Sequence, residues 1–497
     1  MAGQFHTPVA SFSGECYYRH RTPLGVSGII MFLDQPVAIT QPANLGNGNG
    51  LKAEYFDNAD LATPKIMRTD ANASTTVAQA SNTGKTYYVS GSGNDYNNGL
   101  STSSPFRTLS KAGNLVKAGD TVYVMNGTYT ASGSQILLLH QKHGRSGAPI
   151  TIKAYPGHSP LLKSRNMYAI NINGSSYINI EGLALEGNND NVSLGYAQSQ
   201  KYNTKDPLTN GTGIGINQKS HHVVIRNNRI SKFGGQGIHS YKSDYVTIED
   251  NVVSQNAYYS PMGASGISTI YNWNSYAGNG GYQMIIRGNT VYGNKNYIPW
   301  ASAGKMTEGH GIIVDDTKNT QKNSLYQRYY GKTLIANNIT YNNGGAGINV
   351  FSSSDVDIVN NTTFQNSVVY DTNLYGEISV FSSDNVKVFN NIQYAMNNAV
   401  VNNVAGVKNF QYNYNLIYNS SKFYGSTNNN IVGKDPLFIN PYGGNFALKY
   451  GSAAVDRGTS YFNGTNAPYN DQVGSSRPKD GDYNGSAAID VGARELS

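Results

Sequence analysis

Short runs of alternating apolar and polar residues recur through the middle of the chain. One line reads GIGINQKSHHVVIRNNRI from Gly213, and related lines begin at Gly237, Gly347 and Glu377. Each line holds two period-two runs separated by Ser, Asp or Asn, followed by a break that is usually Asn-Asn. Period-two alternation is typical of β-strands with one buried face. The pattern therefore predicts a succession of short strands.

The breaks between the runs recur at a regular distance. Successive breaks are 23, 38, 49, 23 and 30 residues apart, so the basic repeat is about 23 residues, the length of one parallel β-helix coil. Asn tolerates the left-handed backbone of a tight turn, and stacked Asn side chains can hydrogen-bond from coil to coil. We therefore predict an all-β chain folded as a right-handed parallel β-helix. The aligned breaks lie at Asn228, Asn251, Asn289, Asn338, Asn361 and Asn391.

The same pattern divides the chain into segments. Apolar residues between 106 and 118 have helical spacing, which predicts a capping helix over the open end of the solenoid. We expect a leader or linker over residues 1–50, a linker over 51–84, the β-helix over 85–440 and a loop-rich C-terminal cap over 441–497. The run LKAEYFDNADLATPKIMRTD, from Leu51, resembles the start of a PA14-type carbohydrate-binding module.

Composition and charge narrow the partners. The formal charge is 37 Lys and Arg minus 30 Asp and Glu, or +7, which favours an anionic partner. Because Lys and Arg are not clustered, we expect no nucleic acid. The apolar stretch at residues 24–40 is too short and too interrupted to span a membrane, and the single Cys16 excludes a disulfide within the chain. We expect a monomer that binds an anionic polysaccharide.

Aligning the first strand of each repeat places candidate functional residues on one outward face. Adjacent strands lie about 4.8 Å apart, so a patch over three coils spans roughly 10 Å, the length of one or two sugar units. Two long insertions, carrying Trp273 and Trp300, occur in the same coils and predict the walls of a cleft. The patch consists of His239, Tyr241, Lys242, Tyr271, Asp315 and Asp316.

Several segments resemble known families. Both ends of the chain resemble those of secreted bacterial β-helix proteins, among them the pectate-lyase-like family nine polysaccharide lyases, which implies an extracellular location. The run IHSYKS, from Ile238, resembles the strand that carries the catalytic Lys in family six alginate and chondroitin lyases. Family thirty-one alginate lyases pair a Lys with a Tyr from a preceding segment, which Tyr202 matches. The resemblance implies Lys242 and Tyr202 as the acid/base pair, with His239 or Tyr241 assisting.

These residues fit β-elimination on a uronate polysaccharide such as alginate. A base removes the proton on C5, positive charge or strong donors stabilise the enolate-like intermediate, and an acid protonates the leaving O4. We therefore expect a secreted polysaccharide lyase. The expected substrate contacts come from Tyr241, Tyr271, Glu308, His310 and Asp315.

Other functions stay open. Glu308, Asp315 and Asp316 form an acidic cluster, and glycoside hydrolysis needs two carboxylates. Asp315 and Asp316 also offer the oxygen ligands that Ca²⁺ prefers, so Ca²⁺ is the one cofactor that we consider. The third alternative is a carbohydrate-binding solenoid without catalysis. Long walls around only two coils favour a cleft over a stalk.

Overall fold

The structure is a computed structural model that describes residues 17–21, 51–56, 66–70, 84–276, 280–321, 327–369 and 375–496. From residue 84 on, short strands stack coil upon coil into three parallel sheets of nine, eleven and eleven strands, which we name A, B and C. This arrangement confirms the predicted parallel β-helix. Sheet A follows sheet C and precedes sheet B in each coil.

The strands of each sheet follow one another in chain order. Sheet A contains Gln135–His140, Tyr168–Asn173, Thr212–Asn217, Ile238–Tyr241, Ile267–Ile270, Ile312–Asp315, Ile348–Phe351, Ile378–Phe381 and Asn402–Ala405. Sheet B contains Thr86–Val89, Thr121–Val124, Ile150–Ala154, Ser176–Glu181, His221–Arg226, Asp244–Glu249, Tyr282–Arg287, Lys332–Ala336, Ser354–Val359, Asp384–Phe389 and Lys408–Asn413. Sheet C contains Thr128–Tyr129, Leu161–Lys163, Ala184–Glu186, Arg229–Ser231, Val252–Ser254, Thr290–Tyr292, Ile339–Tyr341, Thr362–Phe364, Ile392–Val400, Leu416–Lys422 and Ile431–Val432.

The remaining elements are few. Strands Tyr17–Arg21, Leu51–Phe56 and Ile66–Asp70 form a small antiparallel sheet within the segments predicted as leader and linker. Two short hairpins follow the β-helix: Phe438–Asn440 with Asn445–Leu448, and Tyr461–Phe462 with Thr465–Asn466. The helices are Leu109–Leu115, Leu194–Ser199 and Pro207–Asn210, with 3₁₀ turns at Asn189–Asn191 and Pro441–Gly443. Within the described residues, none of these helices is long and apolar enough to cross a membrane.

Inward side chains form the core as the alternation predicts. The predicted inward columns of sheet A are fully or almost fully buried, and most of the column positions are Ile or Val. Because each coil places the same kind of side chain over its neighbour, the apolar core is continuous along the axis. The first inward column holds Ile214, Ile238, Ile267, Ile312, Ile348 and Ile378.

Two ladders of buried side chains connect the coils. In the first, each Asn donates its backbone N–H and its Nδ2–H to the Oδ1 atom of the Asn one coil later, from Asn228 to Asn430. This confirms the stacking predicted at the Asn breaks. A second ladder runs from Asn256 to Asn366 and ends at the buried Glu377, whose carboxyl accepts both donors of Asn366.

The two ends of the solenoid are covered differently. The predicted capping helix begins after Thr108, whose Oγ1 accepts the Lys111 N–H at 3.1 Å, and it ends at Leu115. The loop-rich C-terminal segment lies along the turn between sheets B and C. There Arg477 pairs with Glu495 at 2.6 Å and donates to Asn337 at 2.8 Å.

Candidate active site on sheet A

The outward side chains of sheet A form the floor of the candidate site. Register pairing places Tyr241 beside Ile270, Ile270 beside Asp315, and Asp315 beside Phe351. These four side chains are partly exposed, whereas Ser268, Ile313 and Asn349 in the neighbouring outward column are buried. The accessible floor is therefore one column wide along most of its length, widens at the partly exposed His239, and runs along the axis of the solenoid.

Loops rise on both sides of this floor, as the long insertions predict. One wall comes from residues 255–266 and 293–311, which precede their sheet A strands, and the other from 271–276, 316–321 and 327–331. A hydrogen bond joins the two segments of the first wall: the Ala301 N–H donates to the Pro261 carbonyl at 2.8 Å. The second wall is held by the buried carboxylate of Asp244.

Asp244 anchors both segments of the second wall. Its Oδ2 accepts the N–H and the Oγ–H of Ser275 at 2.7 and 2.6 Å. Its Oδ1 accepts the hydroxyl of the buried Tyr329. A charged acceptor with several donors makes strong hydrogen bonds in a dry environment. Asp244 therefore positions loops that the sequence shows only as insertions.

Three predicted residues converge on the ring of Tyr241. The Lys242 Nζ lies 4.8 Å from the centre of that ring, and the rings of His239 and Tyr271 lie 5.8 Å from it. Lys242 and Tyr271 both have left-handed backbones, with φ of 55° and 54°. These residues occupy the corner after each strand, where strand alternation no longer fixes the direction of a side chain.

The surroundings set the protonation of two of these groups. Burial lowers the pKa of His239 to about 4, so its imidazole is neutral at pH 7. Burial, followed by the nearby Asp315 and Asp316 carboxyls, raises the pKa of Tyr271 to about 12. Near neutral pH Tyr271 is therefore a protonated phenol, and His239 is a neutral imidazole.

The acids of the first wall and the floor hold their protons unusually tightly. Burial, and then the charge of Asp315, raises the pKa of Glu308 to about 8. Burial, and then Asp316, raises the pKa of Asp315 to about 7. The Ser265 hydroxyl donates to Glu308 at 3.2 Å, and the Gln321 amide donates to Asp315 at 2.6 Å. At pH 7 Glu308 is therefore a largely neutral carboxylic acid, and Asp315 is protonated in about half of the molecules.

The structure corrects the expectation that His310 binds substrate, because its side chain is 0% exposed. The Ala346 N–H donates to Nδ1 at 2.8 Å, so the proton of the neutral ring is on Nε2. Burial also lowers the pKa of His310 to about 3. Its Nε2 lies 3.5 Å from the Oε2 atom of Glu308 and 2.8 Å from the Asn349 amide. His310 therefore packs behind Glu308 as a buried, neutral ring.

The predicted Asp315–Asp316 pair does not fit a Ca²⁺ ion shared by both residues. Asp316 is fully buried, and its carboxylate already accepts the backbone N–H groups of Thr320 and Gln321 at 2.8 and 3.2 Å. Donors that point at a carboxylate compete with a cation for the same lone pairs. Among the described residues, one group of three acidic side chains has ligand atoms within 4.8 Å of one another. It consists of Asp456, Asp480 and Asp482 and lies in the C-terminal segment.

Tyr202 lies in the turn that follows helix Leu194–Ser199, on the chain that leads into sheet A. Its side chain is 74% exposed, and the Lys201 ammonium lies 5.1 Å from its ring centre. Its pairing with Lys242 stays a prediction.

Sequence reasoning missed two tyrosines beside the site. The Tyr168 ring fills the space above Gly215, where an added Cβ would lie 2.6 Å from it, and it faces Tyr241. The Tyr375 ring meets His310 edge-on at 5.0 Å, and burial and Glu308 raise its pKa. Gly215, between Ile214 and Ile216, was the one available signal for Tyr168. No pattern in the sequence pointed to Tyr375.

Comparison with known proteins places the chain in a family. Residues 87–398 match the family described as Pel9A-like, right handed beta helix region. The chain therefore belongs to the Pel9A-like right-handed β-helix family, within the pectate-lyase-like superfamily that the chain ends resemble.

Individual relatives agree with this family. Protein YwoF of Bacillus subtilis (strain 168), described as uncharacterized, is 26% identical over 397 residues, which are 76% of this chain and 74% of YwoF. The structure of pectate lyase Pel9A has a TM-score of 0.49 and 16% identity, over 83% of this chain and 96% of that one. The GH136 lacto-N-biosidase from Eubacterium ramulus has a TM-score of 0.39 and 17% identity, over 70% and 57%.

Proposed function

We propose that this chain is a secreted, monomeric polysaccharide lyase that cleaves a uronate-containing polysaccharide, such as alginate, by β-elimination. The observation that carries the proposal is the cluster around Tyr241, where a cation, a neutral imidazole and a protonated phenol lie on adjacent coils. The family supports it, since the protein that gives the family its name is a pectate lyase. The floor also suits an extended chain, because it is one column wide along most of its length.

Lys242 supplies the positive charge. Its Nζ lies over the face of the Tyr241 ring, and the negative face of an aromatic ring stabilises an ammonium. The side chain is 9% exposed, so its charge acts with little screening by water. An ammonium here pairs with the uronate carboxylate and becomes more valuable as negative charge develops during proton removal.

Proton transfer follows from the other two groups. His239 accepts the C5 proton as the C5–H bond breaks, and the electron pair is delocalised into the carboxylate as an enolate-like intermediate, which forms the C4–C5 double bond as O4 leaves. The C4–O4 bond then breaks, and Tyr271 donates its proton to the leaving O4. Solvent returns a proton to Tyr271 and removes one from His239, so the cycle closes. Tyr202 is the alternative acid, as the resemblance to family thirty-one implies.

Glu308 and Asp315 are expected to bind the substrate as neutral acids. An ionised pair would repel a uronate, whereas protonated carboxyls donate hydrogen bonds to it. Asp315 lies partly exposed on the floor, and Glu308 lies near it in the first wall. Because the donor set around Asp316 does not fit Ca²⁺, no step of the reaction is assigned to a metal.

Glycoside hydrolysis is a second candidate, favoured by the same two acids. Two carboxyls that influence each other, with pKa values raised to about 8 and about 7, can divide the roles of acid and base. In that case the Tyr241 cluster would bind the sugar and take no part in proton transfer.

The products separate the two reactions. We would incubate the protein with alginate, pectate, glucuronan and glycosaminoglycans, with and without a chelator, and follow ultraviolet absorbance together with reducing ends. Absorbance of an unsaturated uronate, retained with chelator, is the expected result. Reducing ends without absorbance would replace the lyase by the hydrolase. Loss of both signals with chelator would show that a metal is needed after all.

A further inference from the structure

An open pocket of about 320 Å³ continues the floor beyond Asp315. Phe351 and Phe381 occupy the same outward column as Asp315, on the next two strands. The Tyr375 ring closes one side, 5.7 Å from the ring of Phe381. Ala405 and Gly406 form the far end. The pocket and the candidate active site are thus parts of one groove.

Among the described residues, those that line the pocket carry no charged side chain. Besides the three rings the lining contains Ser382, Ala405 and Gly406. A cation does reach its rim, because the Lys318 Nζ donates to the Ser382 carbonyl at 3.0 Å. The same ammonium pairs with Asp384 at 3.0 Å, so its charge is already compensated. A carboxylate placed in this pocket would lose water and gain no strong partner.

From these observations we infer that the pocket binds a sugar unit of the substrate that carries a methyl group and no free carboxylate. An O-acetyl group, a methyl ester or a 6-deoxy carbon would supply the methyl. The inference rests on the proposed function, because it takes the polysaccharide to lie along the floor. It divides the groove into a region that binds a uronate at Lys242 and an apolar region at Phe381.

The spacing of the strands fits one continuous chain. Tyr241 and Phe381 are separated by four strand steps, so their column positions are about 19 Å apart. An extended polysaccharide that places a uronate at Tyr241 therefore places a unit about three or four sugars away in the pocket. Phe351 is 38% exposed, which leaves its ring available to the apolar face of that unit.

Binding to matched polymers tests this inference. The His239→Gln variant, which lacks the proposed base, keeps Lys242 and should bind without cleaving, would be titrated with O-acetylated polymannuronate and with the same polymer after mild deacetylation. Methyl-esterified and de-esterified polygalacturonate form a second pair. Burying one methyl group predicts roughly fivefold tighter binding of the modified member of at least one pair. The pair that shows the preference identifies the source of the methyl.

A third arm does not depend on the lyase reaction. Methyl 6-deoxy-α-D-glucopyranoside would be compared with methyl α-D-glucopyranoside by NMR of the protein labelled at its alanine methyl groups. The Ala405 methyl lines the pocket and lies near aromatic rings. It should shift further with the deoxy sugar at equal concentration.

Variants locate the effect. On the His239→Gln background, Phe381→Ala should bring the two affinities of the preferred pair within twofold, and Phe381→Lys should favour the free uronate. Tyr450→Ala removes an exposed ring from the C-terminal segment and should leave the preference unchanged. Circular dichroism would check that each variant is folded. Phe351→Ala would take the place of Phe381→Ala if that variant does not fold.

Three results would overturn the inference. Equal binding within both pairs by the parent protein, or a preference that survives both phenylalanine variants, would leave the lyase proposal standing and remove the pocket's role. If no uronan is bound or cleaved and the Ala405 methyl does not respond, both proposals fail together. A response of Ala405 without uronan binding would retain the apolar pocket and remove its link to a uronate.

Discussion

Replacing Glu308 by Gln should make the protein markedly less sensitive to alkaline pH. Burial raises the pKa of the Glu308 carboxyl from its ordinary value of 4.5 to about 8 in the folded protein. The folded state therefore binds more protons between these values, and stability falls as pH rises through this window. A glutamine side chain resembles the protonated acid in shape and cannot ionise, so the Glu308→Gln variant should escape the penalty.

The size of the effect follows from the two pKa values. Between pH 5.5 and 8.5, Glu308 alone should cost about 3 kcal/mol of folding free energy. The side chain is 21% exposed, so solvent screening removes only a small part of this. For a solenoid of nearly 400 residues, about 3 kcal/mol corresponds to a Tm difference of roughly 3–6 °C.

Thermal unfolding at the two pH values measures this difference. The drop in Tm from pH 5.5 to 8.5 should be smaller in Glu308→Gln than in the unmodified protein. Glu186→Gln is the matched control, because Glu186 lies on the outer surface in an ion pair with Lys163 at 2.9 Å. Equal drops in the unmodified protein and Glu308→Gln would refute the buried neutral acid.

Two further changes test the architecture around the site. Asn338→Ala removes four side-chain hydrogen bonds within the ladder and should lower the free energy of unfolding in urea by about 4 kcal/mol. Asn430→Ala, at the partly exposed end of the ladder, should lower it by about 1 kcal/mol. Equal costs would mean that burial does not determine how much each Asn of the ladder contributes to stability. Asp244→Ala should speed hydrogen exchange at residues 271–276 and 327–331 while the sheets keep their protection, and uniform exchange would contradict its role as the anchor of that wall.

The solenoid was predictable because its signal is repeated. Alternation in sheet A fixed the inward columns at Ile214 and its successors, and the Asn breaks marked the first ladder. The second ladder was less visible, since its residues lie in loops of varying length and its last member is Glu377. A pattern that recurs in many coils can be recognised even where one copy is ambiguous. A single loop residue has no second copy with which to compare it.

The site was predictable only where it lies on strands. His239, Tyr241 and Asp315 lie on the outward face as alternation requires. The buried state of His310 depends on the loop that carries Ala346, and the clamp at Asp244 depends on Tyr329 from a distant insertion. Contacts between insertions are set by three-dimensional packing, which no spacing in the sequence encodes.

The most direct test of the central claim is the mass of the cleavage products formed in ¹⁸O-labelled water. Elimination adds no water, so the two product masses should sum to that of the parent oligouronate, with one unsaturated end. This cleavage should be lost in Lys242→Met and retained in Lys163→Met, whose lysine lies on the outer surface of sheet C. Products that together exceed the parent by one labelled water would contradict the lyase and establish hydrolysis.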